Sequence, residues 1–303
     1  MQINEPLILI LSIIIGLISG ALGYTFHDEA DTIITVGLIL MLYGVMLNIP
    51  FRRIIEASKN SRFITLSLAV NFILVPVFTW RLSSGFVNDP AILLGLLMYF
   101  VMPCTDWFLT FTSSAKGDVA LGTILIPINL SIQIVLLPLY LLLFMGNTIR
   151  IDLILFLKTL ALFFLIPLSL ALISRHLGKR SFNQMVSDLQ TFFLGIVVAV
   201  MFASQESMFI ANIDKIIVIA APILIYFISM YFLSIIVQRL FKLRYEETVL
   251  LNFTTSARNS PIALAIALGA FPSLPLTAAV IAIAPIIEIP ILAVEARILG
   301  KRR

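Results

Sequence analysis

Sulfur and imidazole are scarce in this 303-residue chain, which has one cysteine, Cys104, and two histidines, His27 and His176. A single thiol excludes an intrachain disulfide and a cysteine-rich metal site. The histidines fall in loops on opposite sides of the apolar pattern, so they cannot form a catalytic pair. Charge is scarce too: Asp, Glu, Lys and Arg make up 12% of the chain, about half the share of a soluble domain. There is no glycine-rich phosphate loop, no His-x-x-Glu-His and no Gly-x-Ser-x-Gly. The sequence is therefore read as a non-enzyme with no resident cofactor. The net charge of +4 does not point to nucleic acid, because the basic residues sit in short loops between apolar segments.

What the chain has in excess is apolar surface, with 60% hydrophobic residues and a mean hydropathy of +1.10. One water-soluble core cannot absorb that, so the partner is the lipid bilayer. Apolar stretches near 7–24, 33–49, 62–80, 91–114, 119–145, 152–174, 189–204, 212–238, 246–269 and 275–297 give ten expected spans. The first follows a head with Glu5 and no Lys or Arg, so it is read as a span and not as a cleaved leader. Most of the 20 lysines and arginines fall in alternate loops: Arg52, Arg53, Lys59 and Arg62; Lys116; Arg175, Lys179 and Arg180; Arg239, Lys242 and Arg244; and the C-terminus. That bias predicts a multi-pass protein of the cell membrane with both termini cytoplasmic. Five spans precede "FMGNTIRID" and five follow it, so the halves run in opposite senses. The fold class expected is all-α and integral to the membrane, with ten transmembrane helices in two inverted five-helix repeats, residues 1–145 and 146–303.

Two spans, the fourth of each half, carry polar interruptions. "VMPCTDW" places Pro103, Cys104, Thr105 and Asp106 inside the fourth span. "FTTSARNSP" places Thr254, Ser256, Arg258, Asn259, Ser260 and Pro261 inside the ninth. Proline removes a backbone donor and clashes with the preceding turn, so both helices are expected to break and to cross near the bilayer midplane. A charge at that depth costs about 2.5–3.5 kcal/mol on insertion scales. Asp106 and Arg258 are thus expected to share one cavity, as substrate contacts or as a structural ion pair. Asn129 and Gln133 lie one helical turn apart on the fifth span and read as substrate ligands or as interhelical hydrogen bonds. Glu288, between Pro285 and Pro290, reads as a cation or proton site or as a hydrogen-bonding helix contact. Cys104 reads as a soft ligand or a small buried hydrophobe. Asp118, after Gly117, is expected to cap the next helix.

Taken together, "AKGDVALGT", "RNSPIALAIALG" and the two broken spans resemble the bile acid/sodium symporter and arsenite carrier superfamily, over nearly the whole chain. Around the fourth span the arsenite branch is more similar. Its essential cysteine stands before the Lys-Gly-Asp turn much as Cys104 does. Its Asn-x-x-x-Gln resembles Asn129 and Gln133, and its Pro-x-x-Glu-x-Pro resembles Pro285, Glu288 and Pro290. The resemblance implies a secondary carrier exporting arsenite or a related small oxyacid by ion-coupled alternating access. The alternative it implies is a sodium-coupled symporter of an organic anion. Na+ or H+ is the candidate coupling ion, and the oligomeric state is open. Two departures stand out. Some arsenite carriers have a glutamate near the position of Pro261, and the symporters have a sodium-binding glutamate and a glutamine at Thr254 and Arg258. An arginine there is expected to act as a fixed surrogate for a bound cation.

Overall fold

Long apolar runs fold as helices throughout the computed structural model, even where isoleucine and valine cluster, as in Ile13–Ile15 and Ile196–Val198. It describes residues 5–26, 29–50, 60–105, 107–146, 148–149, 151–177 and 180–301. The helices are α1 (Glu5–Ala21), α2 (Ala30–Asn48), α3 (Ser61–Ala69), α4 (Val75–Phe86), α5 (Pro90–Val101), α6 (Trp107–Ser114), α7 (Val119–Met145), α8 (Leu153–Leu160), α9 (Ile166–Leu177), α10 (Arg180–Asp188), α11 (Gln190–Ser204), α12 (Glu206–Ala211), α13 (Ile213–Ile217), α14 (Ala220–Phe241), α15 (Tyr245–Ser256), α16 (Ser260–Ala270) and α17 (Pro275–Gly300). No strand occurs among the described residues; one isolated antiparallel bridge joins Pro103 and Arg258. Among the described residues, six continuous helices are long and apolar enough to cross a membrane, and the bent pair Phe182–Asp188 and Gln190–Ser204 makes up to seven.

Capping follows the sequence. The Asp118 carboxylate accepts from Leu121 N at 2.9 Å, as expected, and Asp89 and Asp152 cap α5 and α8 in the same way. One guanidinium nitrogen of Arg175 donates to the carbonyls of Met46, Leu47 and Ile49, closing the C-terminus of α2. There the helix dipole favours a cation.

Proline shapes the long helices without always ending them. Five-residue π-helical turns, Val70–Leu74 and Ala161–Leu165, precede Pro76 and Pro167. A widened turn relieves the clash between the proline ring and the carbonyl four residues back. At Pro76 that carbonyl belongs to Phe72, and it accepts the Tyr140 hydroxyl at 2.5 Å. The freed backbone group is thereby satisfied inside the protein, as bilayer depth requires.

The chain divides into two compact units. One comprises Met1–Ile49, Ile151–Ile217 and Pro261–Ile286; the other comprises Pro50–Arg150, Val218–Ser260 and Ile287–Arg303. In the first, a stripe of Ser12, Gly16 and Gly20 on α1 faces Gly195, Ala199 and Ala203 on α11. A Cβ added at Gly16 would lie 2.4 Å from the Ala199 carbonyl oxygen, and one at Gly20 would lie 2.7 Å from that of Ala203. Small residues let the helix backbones approach where lipid gives no hydrophobic drive to associate. Gly16→Val should therefore cost about 1–3 kcal/mol through overpacking. Thermal unfolding of the purified protein reads this, with Ile15→Val, on an exposed position, as the comparison.

Candidate functional site

The two interruptions are stitched to each other in the second unit. α15 ends at Ser256 and α16 begins at Ser260, leaving Ala257, Arg258 and Asn259 outside helix. Pro261 has no N–H for the Ala257 carbonyl four residues back, and that carbonyl accepts from Cys104 N at 3.0 Å. Asn259 N in turn donates to the Met102 carbonyl at 2.8 Å. Side chains extend the seam: Asn259 Nδ2 donates to Thr105 Oγ1 at 3.0 Å. Each break thus supplies the backbone partner that the other lost. The expected Asp106–Arg258 pairing involves a residue outside those described.

Arg258 is the most consequential side chain here. It is 2% exposed, and its Nε, Nη1 and Nη2 have no hydrogen-bond partner among the described residues. The guanidinium lies over the Tyr226 ring, 5.2 Å from its centroid, a cation–π arrangement. The Tyr226 hydroxyl is tied to the Thr255 carbonyl. The backbone N–H of Arg258 donates to Glu288 Oε1 at 2.9 Å, and the Tyr99 hydroxyl donates to Glu288 Oε2 at 2.5 Å. Both carboxylate oxygens are therefore engaged, one on each broken span's structure.

Of the α7 residues, Asn129 reaches the same place. Asn129 Nδ2 donates to Thr254 Oγ1 at 3.3 Å, while Asn129 Oδ1, both amide atoms of Gln133 and Ser256 Oγ are buried without partners among the described residues. Ser131 turns its hydroxyl back onto the Pro127 carbonyl and stays outside the cluster. The sequence reading missed Tyr99, Tyr226, Asn71, Asn252 and Glu295. Glu295 had a usable signal, since it follows Glu288 by two helical turns on one face of α17. Asn71, buried with neither amide atom partnered among the described residues, sits in the π turn that Pro76 foretells.

Buried polar groups held at paired helix breaks, in a chain of long apolar helices, are the parts of a carrier. The profile described as the Sodium Bile acid symporter family matches residues 35–238. This chain belongs to that family. Like other members of the sodium bile acid symporter family it is a multi-pass membrane transporter, and its partner is the lipid bilayer. Among curated proteins it is similar to the Arsenical-resistance protein Acr3 of Corynebacterium glutamicum, 24% identical over 95% of this chain and 85% of that protein. The Arsenical-resistance protein Acr3 of Alkaliphilus metalliredigens is 23% identical over 97% and 90%. The uncharacterized protein YbaS of Bacillus subtilis is 26% identical over 75% and 76%. The family match contains the first break and Tyr226, while Arg258, Glu288 and Glu295 lie beyond it.

Proposed function

We propose that this chain is a secondary carrier that exports arsenite, or a related small oxyacid, by proton-coupled alternating access across the cell membrane. The observation that carries the reading is the position of Cys104. Its thiol is buried at the first break, its backbone N–H is bonded to Ala257 in the second, and Thr105 and Asn259 flank it. A soft sulfur beside hydroxyl and amide groups suits a metalloid hydroxide. The full-length likeness to arsenical-resistance proteins points the same way.

The repeat arrangement belongs to the same proposal. Each compact unit takes segments from both halves of the chain, as two inverted five-helix repeats, 1–145 and 146–303, would do when interleaved. Cytoplasmic termini follow from the loop charges. Thr254, Asn129, Gln133, Ser256, Ser260 and Glu288 would complete the substrate and ion site.

A second reading is favoured by one observation, the buried guanidinium of Arg258, which has no hydrogen-bond partner among the described residues. Under that reading a carboxylate or sulfonate binds Arg258, and the carrier is an organic-anion symporter driven by Na+. Everted membrane vesicles separate the two. Arsenite uptake driven by a proton gradient is the expected result. Uptake of an organic anion that requires Na+, with no arsenite movement above control vesicles, would replace the first reading by the second.

A further inference from the structure

We propose that Glu295, and not Glu288, is the residue that carries the coupling proton; this rests on the proton-coupled reading above. Both carboxylates lie on α17, seven residues and about 10 Å apart, and both are buried, at 0% and 5% exposure for Glu288 and Glu295. Their surroundings differ in kind. Glu288 accepts from a backbone N–H and from a tyrosine hydroxyl, one on each oxygen. Arg258 stands beside it as a permanent cation. Both oxygens of Glu288 already accept a hydrogen bond, so a proton arriving there competes with two donors and with the neighbouring guanidinium. That arrangement favours the carboxylate form at Glu288.

Glu295 has one donor. Asn252 Nδ2 on α15 reaches Oε2 at 2.8 Å, and Asn252 Oδ1 accepts from Ser234 Oγ on α14 at 3.1 Å, which fixes the amide's orientation. Oε1 has no hydrogen bond among the described residues. A proton can bind at Oε1 and leave again while the acid's other oxygen goes on accepting from Asn252. The site loads and unloads without disturbing its own scaffold. The ionisable groups on these elements are Tyr226, Tyr231 and Arg239 on α14, Tyr245, Glu246 and Glu247 on α15 with Arg258 after it, and Glu288 and Arg297 on α17. The Tyr245 hydroxyl donates to the Leu299 carbonyl, a turn beyond Glu295. Among the described residues, no lysine or arginine forms an ion pair with Glu295.

Polar side chains also recur between the break and Glu295. Ser256 lies one turn from Asn252 on the same face of α15, and its buried hydroxyl has no partner among the described residues. Ser234 and Tyr226 share a face of α14, two turns apart. The proton enters from water as H+ bound to one carboxyl oxygen and returns to water unchanged; no covalent bond to the chain forms.

The test uses the full chain, purified, with infrared difference spectra recorded across pH. The carboxylic C=O band that titrates in the wild type should vanish in Glu295→Gln and persist in Glu288→Gln. In everted vesicles Glu295→Gln should lose stimulation of arsenite uptake by a pH gradient, while exchange of labelled for unlabelled arsenite at equal pH continues. Glu295→Asp, which keeps an acid on α17, should restore stimulation with a shifted pH profile, and it answers the case in which the glutamine variant does not fold. A titrating band unchanged in Glu295→Gln, or full gradient stimulation in that variant, overturns the assignment. If wild-type vesicles move no arsenite, the exporter reading fails, and the infrared experiment alone decides whether Glu295 binds the proton.

Discussion

Glu288→Leu is expected to lose about 3–5 kcal/mol of stability, because removing one member of a buried charged set strands the rest. The change would orphan the Arg258 N–H and the Tyr99 hydroxyl, both of which now end on the carboxylate. Among the described residues it would also leave the guanidinium with aromatic contact to Tyr226 but no carboxylate beside it and no hydrogen bond. The double variant Arg258→Met/Glu288→Gln should behave in the opposite way. The introduced glutamine can still accept from the backbone N–H and can donate its amide to Tyr99, while methionine refills the space over the Tyr226 ring without a charge to desolvate. Apolar replacement of buried charge is neutral or stabilising by about 1–4 kcal/mol. The double variant should therefore unfold at or above the wild-type temperature and transport nothing. Thermal unfolding in detergent beside vesicle uptake reads both effects. A double variant as unstable as Glu288→Leu would refute the charge-balance account of this site.

Cys104→Ser should give a folded carrier that fails to protect cells from arsenite, with resistance falling to that of cells lacking the protein. The seam between the breaks uses the backbone of Cys104, with its N–H on the Ala257 carbonyl, and serine keeps that bond. What changes is the donor atom, from a polarisable sulfur suited to soft ligands to a hard oxygen. Loss of resistance with unchanged thermal unfolding assigns the thiol to the substrate. Resistance equal to wild type would remove Cys104 from the substrate path and move the weight of evidence to Arg258 and an organic anion.

Much of this was legible in residue order, for reasons that particular residues make plain. Pro103 and Pro261 announced both breaks, because a missing N–H acts locally and needs no knowledge of the fold. Asp118 announced its cap for the same reason. The partners of Glu288 were not legible: Tyr99 lies half the chain away and carries no mark that distinguishes it from any other tyrosine in an apolar run. The amphipathic helix α10 was read as part of a basic loop, since Lys179 and Arg180 dominate its start. The π turns were missed although Pro76 and Pro167 signal them, because a proline read alone suggests a break and the surrounding helix overrides it. Glu295 lies inside the last expected span but has no proline or second polar residue beside it to mark it, as Glu288 has in Pro285 and Pro290. Its burial is decided by Asn252, a tertiary contact.

The seam at Pro103 and Arg258 has a consequence for biogenesis. The Met102 carbonyl and the Cys104 N–H find their partners on Asn259 and Ala257, which the ribosome makes long after them. Until then the first break enters the bilayer with two bare backbone groups, each a liability in hydrocarbon. The segment around the first break cannot settle when it is inserted; it must be held by the insertion machinery or sheltered by its neighbours until the second break arrives. Chains stopped after residue 150 should therefore be cleared by membrane quality control, and the separately expressed C-terminal half should rescue them.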